Sequence, residues 1–243
     1  MANLNDPRPT STAFGSVPRA GGQVVFDAGL RKHMLSIYNY MTSGVLLTGI
    51  VALLTFNSGL AINFASGPMM WIVALSPLAI VFAMSFGANR FSKTTLQMMF
   101  WTFAALMGLS MSTIFLRFTG GSIAVTFFAT AAAFAGLSLF GYTTQKSLSG
   151  WGSFLIMGVV GLIVAMIANM FLQSPALMYA ISFIGVLIFA GLTAYDTQRL
   201  KNEYAVLRGT EFAGKAIVLG ALTLYLDFIN MFQFLLSFLG NRE

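Results

Sequence analysis

Apolar residues in this chain form long, nearly uninterrupted segments. Uncharged runs of eighteen or more residues recur, and about that length of helix is needed to cross the hydrocarbon core of a membrane. Short sequences rich in Gly, Asn and Ser separate the runs, so successive spans are antiparallel neighbours in one bundle. The pattern predicts an all-α integral membrane protein with seven transmembrane helices, over residues 36–56, 69–88, 96–115, 122–142, 152–172, 176–195 and 216–239.

The last predicted span is the most polar, and its polar residues follow one side of a helix. The spacing of 4, 3, 3 and 4 residues, which is helical, joins Thr223, Asp227, Asn230, Gln233 and Ser237. Lipid satisfies no polar group, so we expect this stripe to face protein or water and the last helix to be central. If the segment were re-entrant instead, both chain termini would lie on one side of the membrane.

Two aspartates, Asp196 and Asp227, stand inside apolar segments of a chain with only seven acidic residues. A carboxylate at membrane depth costs about 2.5–3.5 kcal/mol on insertion scales, so both are candidates for a functional site. Their midpoint falls beside the turn-like run 208–210. In a helical hairpin that bends there, each lies about fifteen residues from the bend. We therefore predict that the two carboxyl groups face each other, with Thr193 near the same face of the sixth span.

Composition supports a membrane protein and excludes several kinds of site. Hydrophobic residues form 57% of the 243 residues and charged residues only 8%, against about 25% charged in soluble domains. The chain has no cysteine, which excludes disulfides, thiolate metal sites and cysteine nucleophiles. No basic run contains interleaved aromatic residues, so we attribute the net charge of +6 to membrane topology and expect no nucleic-acid partner.

Basic residues predict the orientation of the bundle. With the N-terminus inside, eleven Lys and Arg residues lie on the inner side and two on the outer side, a strong positive-inside bias. We expect a multi-pass protein of a bacterial inner membrane with a cytoplasmic N-terminus. Residues 1–30 are polar and broken by prolines and glycines, and they predict a disordered cytoplasmic tail. Residues 31–243 form a single transmembrane domain in this interpretation.

Three stretches of the sequence resemble the Bax inhibitor-1 family of seven-span membrane proteins, the transmembrane Bax-inhibitor-motif group. They are GYTTQKSLSGWGSFL at 141–155, GLTAYDTQRLKN at 191–202 and LGALTLYLDFINMF at 219–232. The spacing of the spans also matches, and the chain looks close to a bacterial branch. The resemblance implies an all-α fold whose last helix is wrapped by the other six. It also implies a proton-sensitive calcium leak gated by two aspartates, matched here by Asp196 and Asp227.

The resemblance has further implications for residues and partners. A basic residue near the cytoplasmic end of the second span takes part in some members, and Arg90 is its match; plain positive-inside topology is the alternative interpretation of Arg90. Some relatives carry an acidic residue midway along that span, where this chain has Ala79 and apolar neighbours. Some bacterial relatives are substrates or modulators of a membrane-bound ATP-dependent protease, which makes such a protease, or another membrane protein, a candidate partner.

Two carboxyl groups in contact predict a proton switch. Both cannot ionise cheaply, so they share one proton and titrate as a coupled unit. We expect the shared proton to tie the sixth span to the seventh, with Arg90 paired to one carboxylate in the closed state. Loss of the proton creates a weak, transient Ca²⁺ site on the two aspartates, with Thr223, Asn230 or backbone carbonyls as further ligands. Interhelical hydrogen bonding is the alternative role of the Thr and Asn side chains.

Two other functions compete with this hypothesis. Intramembrane aspartyl proteases also use two aspartates, but here the Pro-Ala-Leu sequence at 175–177 precedes both, and Asp227 lacks a Gly-x-Gly-Asp context. We therefore expect no enzyme and no resident cofactor, with Ca²⁺ only as the permeating ion. The second alternative is a non-transporting regulator of membrane protein quality control that acts through its tail and loops. The oligomeric state does not follow from the sequence.

Overall fold

Helices account for all the regular secondary structure, apart from one isolated bridge at Phe118, over residues 28–241, the part of the chain described by the computed structural model. Seven helices there are long and apolar enough to cross a membrane, which confirms the all-α prediction. Residues 1–27 of the predicted tail lie outside the described residues. The elements are α1 (Ala28–Asn57), the short α2 (Leu60–Phe64), α3 (Gly67–Gly87), α4 (Lys93–Met111) with a 3₁₀ turn (Ser112–Leu116), α5 (Gly120–Thr143), α6 (Ser149–Leu172), α7 (Pro175–Leu207) and α8 (Ala213–Leu239).

Several helices begin at residues whose side chains satisfy a free backbone N–H group. The hydroxyl groups of Ser92, Thr119 and Ser174 accept hydrogen bonds from backbone N–H groups three residues further on, at the starts of α4, α5 and α7. These are the residue types preferred at helix N-caps. They fix the starts of three spans within a few residues of the predicted ones.

The largest departure from the predicted spans is in α7, which continues twelve residues past position 195. At 33 residues it is about 50 Å long, well over the roughly 30 Å of a hydrocarbon core. The prediction ended the span where charged residues begin, because apolar runs report contact with lipid and not the end of a helix. Within the extension, Arg199 pairs with Asp196 and Glu203, three and four residues away, which supports the helix by a few tenths of a kcal/mol per pair.

The last helix is the centre of the bundle, as predicted. α8 packs mainly on α7, α1, α5 and α4, whereas α3 packs on α4 and α6 on α7 at the periphery. Four helices rather than six therefore form most of the wall around α8. Its midpoint is fixed by the fully buried Tyr225, whose hydroxyl lies 2.6 Å from that of Thr48; Thr48 in turn donates to the carbonyl of Ala104 at 2.8 Å.

The helices alternate in direction, so the bundle has two ends. We call the end where α1 begins the N side and the opposite end the C side. α8 starts on the N side and crosses the whole bundle. At its C-side end, the backbone of Asn241 bonds to the N–H of Thr119 and to the hydroxyl of Ser122 at the start of α5. The last span is therefore continuous and not re-entrant.

Candidate functional site

The α7–α8 hairpin brings the two aspartates together. The chain turns over residues 208–212, where Gly209 has a φ of +80°, a value that glycine adopts without strain. Asp196 precedes this turn and Asp227 follows it, and both are buried, at 5% and 4% exposure. Their carboxyl groups lie within hydrogen-bonding reach of each other. The predicted juxtaposition is therefore present, and such a bond requires a proton on one of the two groups.

Among residues 28–241, Arg199 is the cation that pairs with the carboxyl groups. Its Nη2 atom lies 3.0 Å from Oδ1 of Asp196, and its Nε atom lies 3.4 Å from Oε1 of Glu203. The side chain of Arg199 is 40% exposed, whereas that of Asp196 is 7% exposed. Arg199 therefore covers the buried pair on its solvent side and has a second carboxylate, Glu203, within reach.

The predicted cation, Arg90, is not at the site. Arg90 is exposed in the turn after α3, and within residues 28–241 no ion pair joins it to either aspartate. The position of Ala79, also exposed, is on the same peripheral helix. α3 packs mainly on α4, and the turn after it is bonded to the start of α8, where Lys215 donates to the carbonyls of Ala88 and Asn89, twelve residues before Asp227. The signal that identifies Arg199 is its i+3 spacing from Asp196 on one helix.

Asp227 is the deeper member of the pair. Its Oδ2 atom is buried and has no hydrogen-bond partner among the described residues. A buried carboxylate oxygen without a donor is strongly unfavourable unless it carries a proton or receives water or an ion. The buried side of the pair is therefore the position at which a proton or a cation changes the energy of the site most.

The predicted supporting residues are near the pair but do not bond to it. Thr193 donates to the carbonyl of Phe189 at 2.8 Å, Thr223 to that of Leu219 at 3.2 Å, and Asn230 to that of Leu226 at 2.7 Å. Each bond is to the residue four positions earlier in the same helix, a common way to satisfy a polar group inside a membrane helix. The two carboxyl groups thus act without these side chains in this conformation.

Asp196 lies at the level of the N-side ends of α5 and α6, and its partner Asp227 lies near the middle of α8. Ala194 and Tyr195, which precede Asp196, contact Gly141 near the last residue of α5 and Gly152 near the first residue of α6. Asp196 is therefore level with the N-side ends of these two helices, and α7 projects about 16 Å beyond it. This depth explains how Arg199 reaches both the carboxyl pair and solvent. Within residues 28–241, no group of three or more His, Asp or Glu side chains is arranged to hold a metal ion.

Comparison with known proteins identifies the family. The family model described as "Inhibitor of apoptosis-promoting Bax1" matches residues 30–243. The chain belongs to the Bax inhibitor-1 family. It is 47% identical over 241 residues to a protein of Caulobacter vibrioides, covering 94% of this chain and 96% of the relative. It is 44% identical over 230 residues to the inner membrane protein YbhL of Escherichia coli K12, covering 93% and 98%. Protein RP147 of Rickettsia prowazekii is 43% identical over 220 residues.

The family resemblance stated from the sequence is thus confirmed, and the protein is a multi-pass membrane protein. The structure gives a physical reason for two glycines in the first of the three recognisable stretches, 141–155. A Cβ atom on Gly141 would lie 2.2 Å from the carbonyl oxygen of Ala194, and one on Gly152 would lie 2.6 Å from the ring of Tyr195. These glycines let α5 and α6 pack closely on α7 directly beside Asp196.

A buried hydrogen-bond chain beside the pair was not predicted. The hydroxyl of Tyr38 on α1 lies 2.5 Å from that of Ser138 on α5, which lies 2.9 Å from that of Thr197 on α7. Thr197 donates to the carbonyl of Thr193 at 2.8 Å, so the chain is directed from Tyr38 towards α7. Its members are single Ser, Thr and Tyr residues 59 and 100 positions apart, a pattern that no spacing rule reveals.

The loop between α5 and α6 is also fastened to α7 close to the pair. Oε1 of Gln198 accepts from the N–H of Leu148 at 2.7 Å, and its Nε2 donates to the carbonyl of Lys146 at 2.9 Å. Lys201 donates to the carbonyl of Tyr142 at 2.7 Å. Residues that follow Asp196 thus hold α7 to the end of α5 and to the loop before α6. The contact of α7 with α8 on this side consists of the two carboxyl groups and of Leu200 packed against Gly220.

Proposed function

We propose that this member of the Bax inhibitor-1 family is a proton-sensitive cation leak, with Ca²⁺ as its permeating ion and the Asp196–Asp227 pair as its gate. The observation that carries the proposal is the contact of two buried carboxyl groups across α7 and α8, with one oxygen of Asp227 lacking a donor. Such a contact holds while a proton is shared and fails when it is lost. Family membership supports the same function.

The closed state follows from how the helix pair is packed. A shared proton joins α7 to α8 on the N side, while the rings of Phe189 and Phe234 stack with centroids 5.8 Å apart further towards the C side. The walls on α5 and α6 are fixed by the loop bonds to Gln198 and by the close contact at Gly141. Movement at the gate is therefore a separation of α8 from α7.

Opening follows from loss of the shared proton as pH rises. Two like charges about 4 Å apart repel by about 4 kcal/mol at an effective dielectric constant of 20, before any compensation by Arg199. Arg199 reduces that repulsion. When a divalent cation binds the pair, its charge takes the place of the arginine charge, and Arg199 moves to Glu203. Two carboxylates are few ligands for Ca²⁺, which prefers six to eight oxygens. Binding is then weak, as passage of an ion requires.

The location and orientation belong to the same proposal. Nine of the ten Lys and Arg residues within 28–241 lie on the N side, and Arg117 lies on the other, which supports a cytoplasmic N side. The E. coli relative is named an inner membrane protein, in agreement with an inner-membrane location here. We place the gate at the cytoplasmic mouth, and we propose transport rather than enzymatic catalysis.

The test is Ca²⁺ flux into proteoliposomes at pH values from about 5 to 8. The wild type should show flux that increases with pH, whereas Asp196→Asn and Asp227→Asn should each remove the pH dependence, because neither variant can hold a doubly ionised pair. Thr223→Val is the matched control on α8. Its hydroxyl bonds only to its own helix, so the variant should titrate like the wild type.

Two results would contradict the proposal. Wild-type pH dependence in both aspartate variants would place the switch elsewhere in the molecule. Flux no higher than in empty liposomes at every pH would favour the alternative, a non-transporting regulator or partner of a membrane-bound ATP-dependent protease, and would direct the search to proteins bound by the N-terminal tail.

A further inference from the structure

A groove of about 640 Å³ runs along the side of the bundle between α1 and α5. Phe228 of α8 forms part of its floor, and Met41, Phe127 and Phe134 are among the apolar side chains of its walls. Leu35 and Leu139 on its two edges are 48% and 62% exposed, so the groove opens sideways, where lipid surrounds a membrane protein. An apolar groove in this position is filled by hydrocarbon and not by water.

The length of the groove matches one leaflet of a bilayer. Along α1 it extends from Arg31 to Val45, a separation of fourteen residues, or about 21 Å of helix. A whole bilayer with its headgroup regions is about 40–45 Å thick, so one leaflet is about half of that. The groove therefore accommodates one lipid of the N-side leaflet, from the headgroup level to the midplane.

At the headgroup end of the groove lies a positive charge, that of Arg31. Arg31 lines the groove and is exposed, and its side chain has no ion pair or hydrogen bond among the described residues. Tyr142 lies on the opposite rim of the groove. Its backbone carbonyl accepts a hydrogen bond of 2.7 Å from the ammonium group of Lys201. Lys201 has no carboxylate partner in the part of the chain described. A guanidinium with a second cation nearby suits a phosphate group.

The continuation of the groove on the other side of the midplane lacks this feature. A second cavity of about 390 Å³ shares Val45 and Phe127 with the first and extends to Met111 and Ile114 on the C side. None of its lining residues is charged. Selection of a headgroup charge is thus possible only at the N-side end.

We propose that the groove between α1 and α5 is a binding site for one anionic phospholipid of the N-side leaflet, with its phosphate on Arg31 and an acyl chain along Met41, Phe127 and Phe134. The lipid site contains neither aspartate of the proposed gate. Hydrogen bonds link the two sites, because Tyr38 lines the groove and bonds through Ser138 to Thr197, the residue after Asp196.

The experiment uses the full-length protein in nanodiscs that contain phospholipids with a photoactivatable acyl chain. Phosphatidylglycerol and phosphatidylcholine carriers are compared, and the labelled peptides are located by mass spectrometry. We expect labelling by the anionic carrier to be concentrated on residues 31–45 and 127–142. It should exceed labelling by the zwitterionic carrier by about five-fold, the ratio expected for one basic side chain at an anionic lipid.

Two pairs of variants separate a built site from general contact with lipid. Arg31→Gln should abolish the preference for the anionic carrier, whereas Lys32→Gln, an exposed neighbour that does not line the groove, should preserve it. Ala135→Trp should fill the groove and reduce labelling by both carriers, whereas Ala132→Trp, exposed on α5 outside the groove, should not. Equal labelling by the two carriers, an unchanged preference in Arg31→Gln, or labelling no denser than on the exposed face of α6 would overturn the proposal.

Discussion

The two halves of the α7–α8 interface are held together by different forces. On the C side, the ring of Phe234 stacks on Phe189 and fills the space above Gly185, and Phe238 packs against Tyr179 and Phe183. On the N side, Leu200 packs against Gly220, and the pair of buried carboxyl groups covered by Arg199 adds a titratable contact. Ring packing is insensitive to pH, whereas a shared proton is not.

This difference locates the part of the molecule able to move. In the proposed gating, a helix pair with ring packing at one end and a titratable contact towards the other opens as a hinge at the titratable end. The neighbours reinforce the contrast, because hydrogen bonds from residues 197, 198 and 201 hold α7 to α5 and to the loop before α6.

The largest effect is expected from Gly141→Leu, which disrupts the close packing of α5 on α7 on the N side. A Cβ atom at this position would lie 2.2 Å from a backbone carbonyl oxygen on α7, and backbone moves aside less easily than a side chain. We expect a loss of stability of about 3 kcal/mol or more, measured as thermal unfolding in detergent. Gly136→Leu on the same helix is the control, because a Cβ there meets open space. Equal melting temperatures for the two variants would show that α5 is not fixed to α7.

Phe234→Ala tests the C-side half. The ring is partly buried and stacks on Phe189, so its removal should destabilise the bundle by about 2–3 kcal/mol, below the range for fully buried phenylalanines. The loss should be the same at pH 5.5 and pH 8, because the neighbours of the ring on α7, Phe189 and Gly185, do not titrate. Asp227→Asn, measured in parallel, should differ from the wild type by unequal amounts at the two pH values. A pH-dependent loss in Phe234→Ala would remove the distinction between the two halves.

The architecture can be predicted from the sequence alone, because each span must be apolar enough to contact lipid whatever its neighbours are. Apolar length predicts seven helices and the helical period places Asp227 on a stripe, and neither inference needs a partner helix. The sequence also predicts that Asp196 and Asp227 face each other, because the number of residues between each aspartate and the turn at Gly209 sets its height in the bundle. All of this is information within one helix or one hairpin.

Contacts between distant spans are what the sequence does not give. Arg90 is a reasonable partner for the aspartates by charge and side of the membrane, but α3 lies at the periphery and Arg199 occupies the position instead. The chain from Tyr38 through Ser138 to Thr197 depends on three helices meeting. A single hydroxyl in an apolar span is satisfied equally well by its own backbone, as in Thr193, so its residue type does not reveal which occurs.

A smaller and graded effect is expected from the residues that cover the pair. Arg199→Gln removes the positive charge that favours the ionised pair, so the midpoint of the flux titration should move to higher pH. We expect a modest shift, because the arginine is 40% exposed and its charge is therefore screened. Glu203→Gln removes the competing partner of Arg199 and should move the midpoint the other way by less. Shifts of the same sign in both variants would contradict this arrangement.

The smallest effect should come from His33→Phe, which removes the other side chain able to titrate between pH 5 and 8. His33 is buried on α1 with its ring 5.2 Å from that of Tyr204, eight residues beyond Asp196 on α7 and about 12 Å along the helix. Phenylalanine keeps the ring contact and removes the proton. If the carboxyl pair is the sensor, the flux of this variant should have the wild-type midpoint in the same proteoliposome assay. A lost or displaced titration would instead make the α1–α7 contact part of the switch, and the N-side half of the bundle would then have two proton-dependent contacts rather than one.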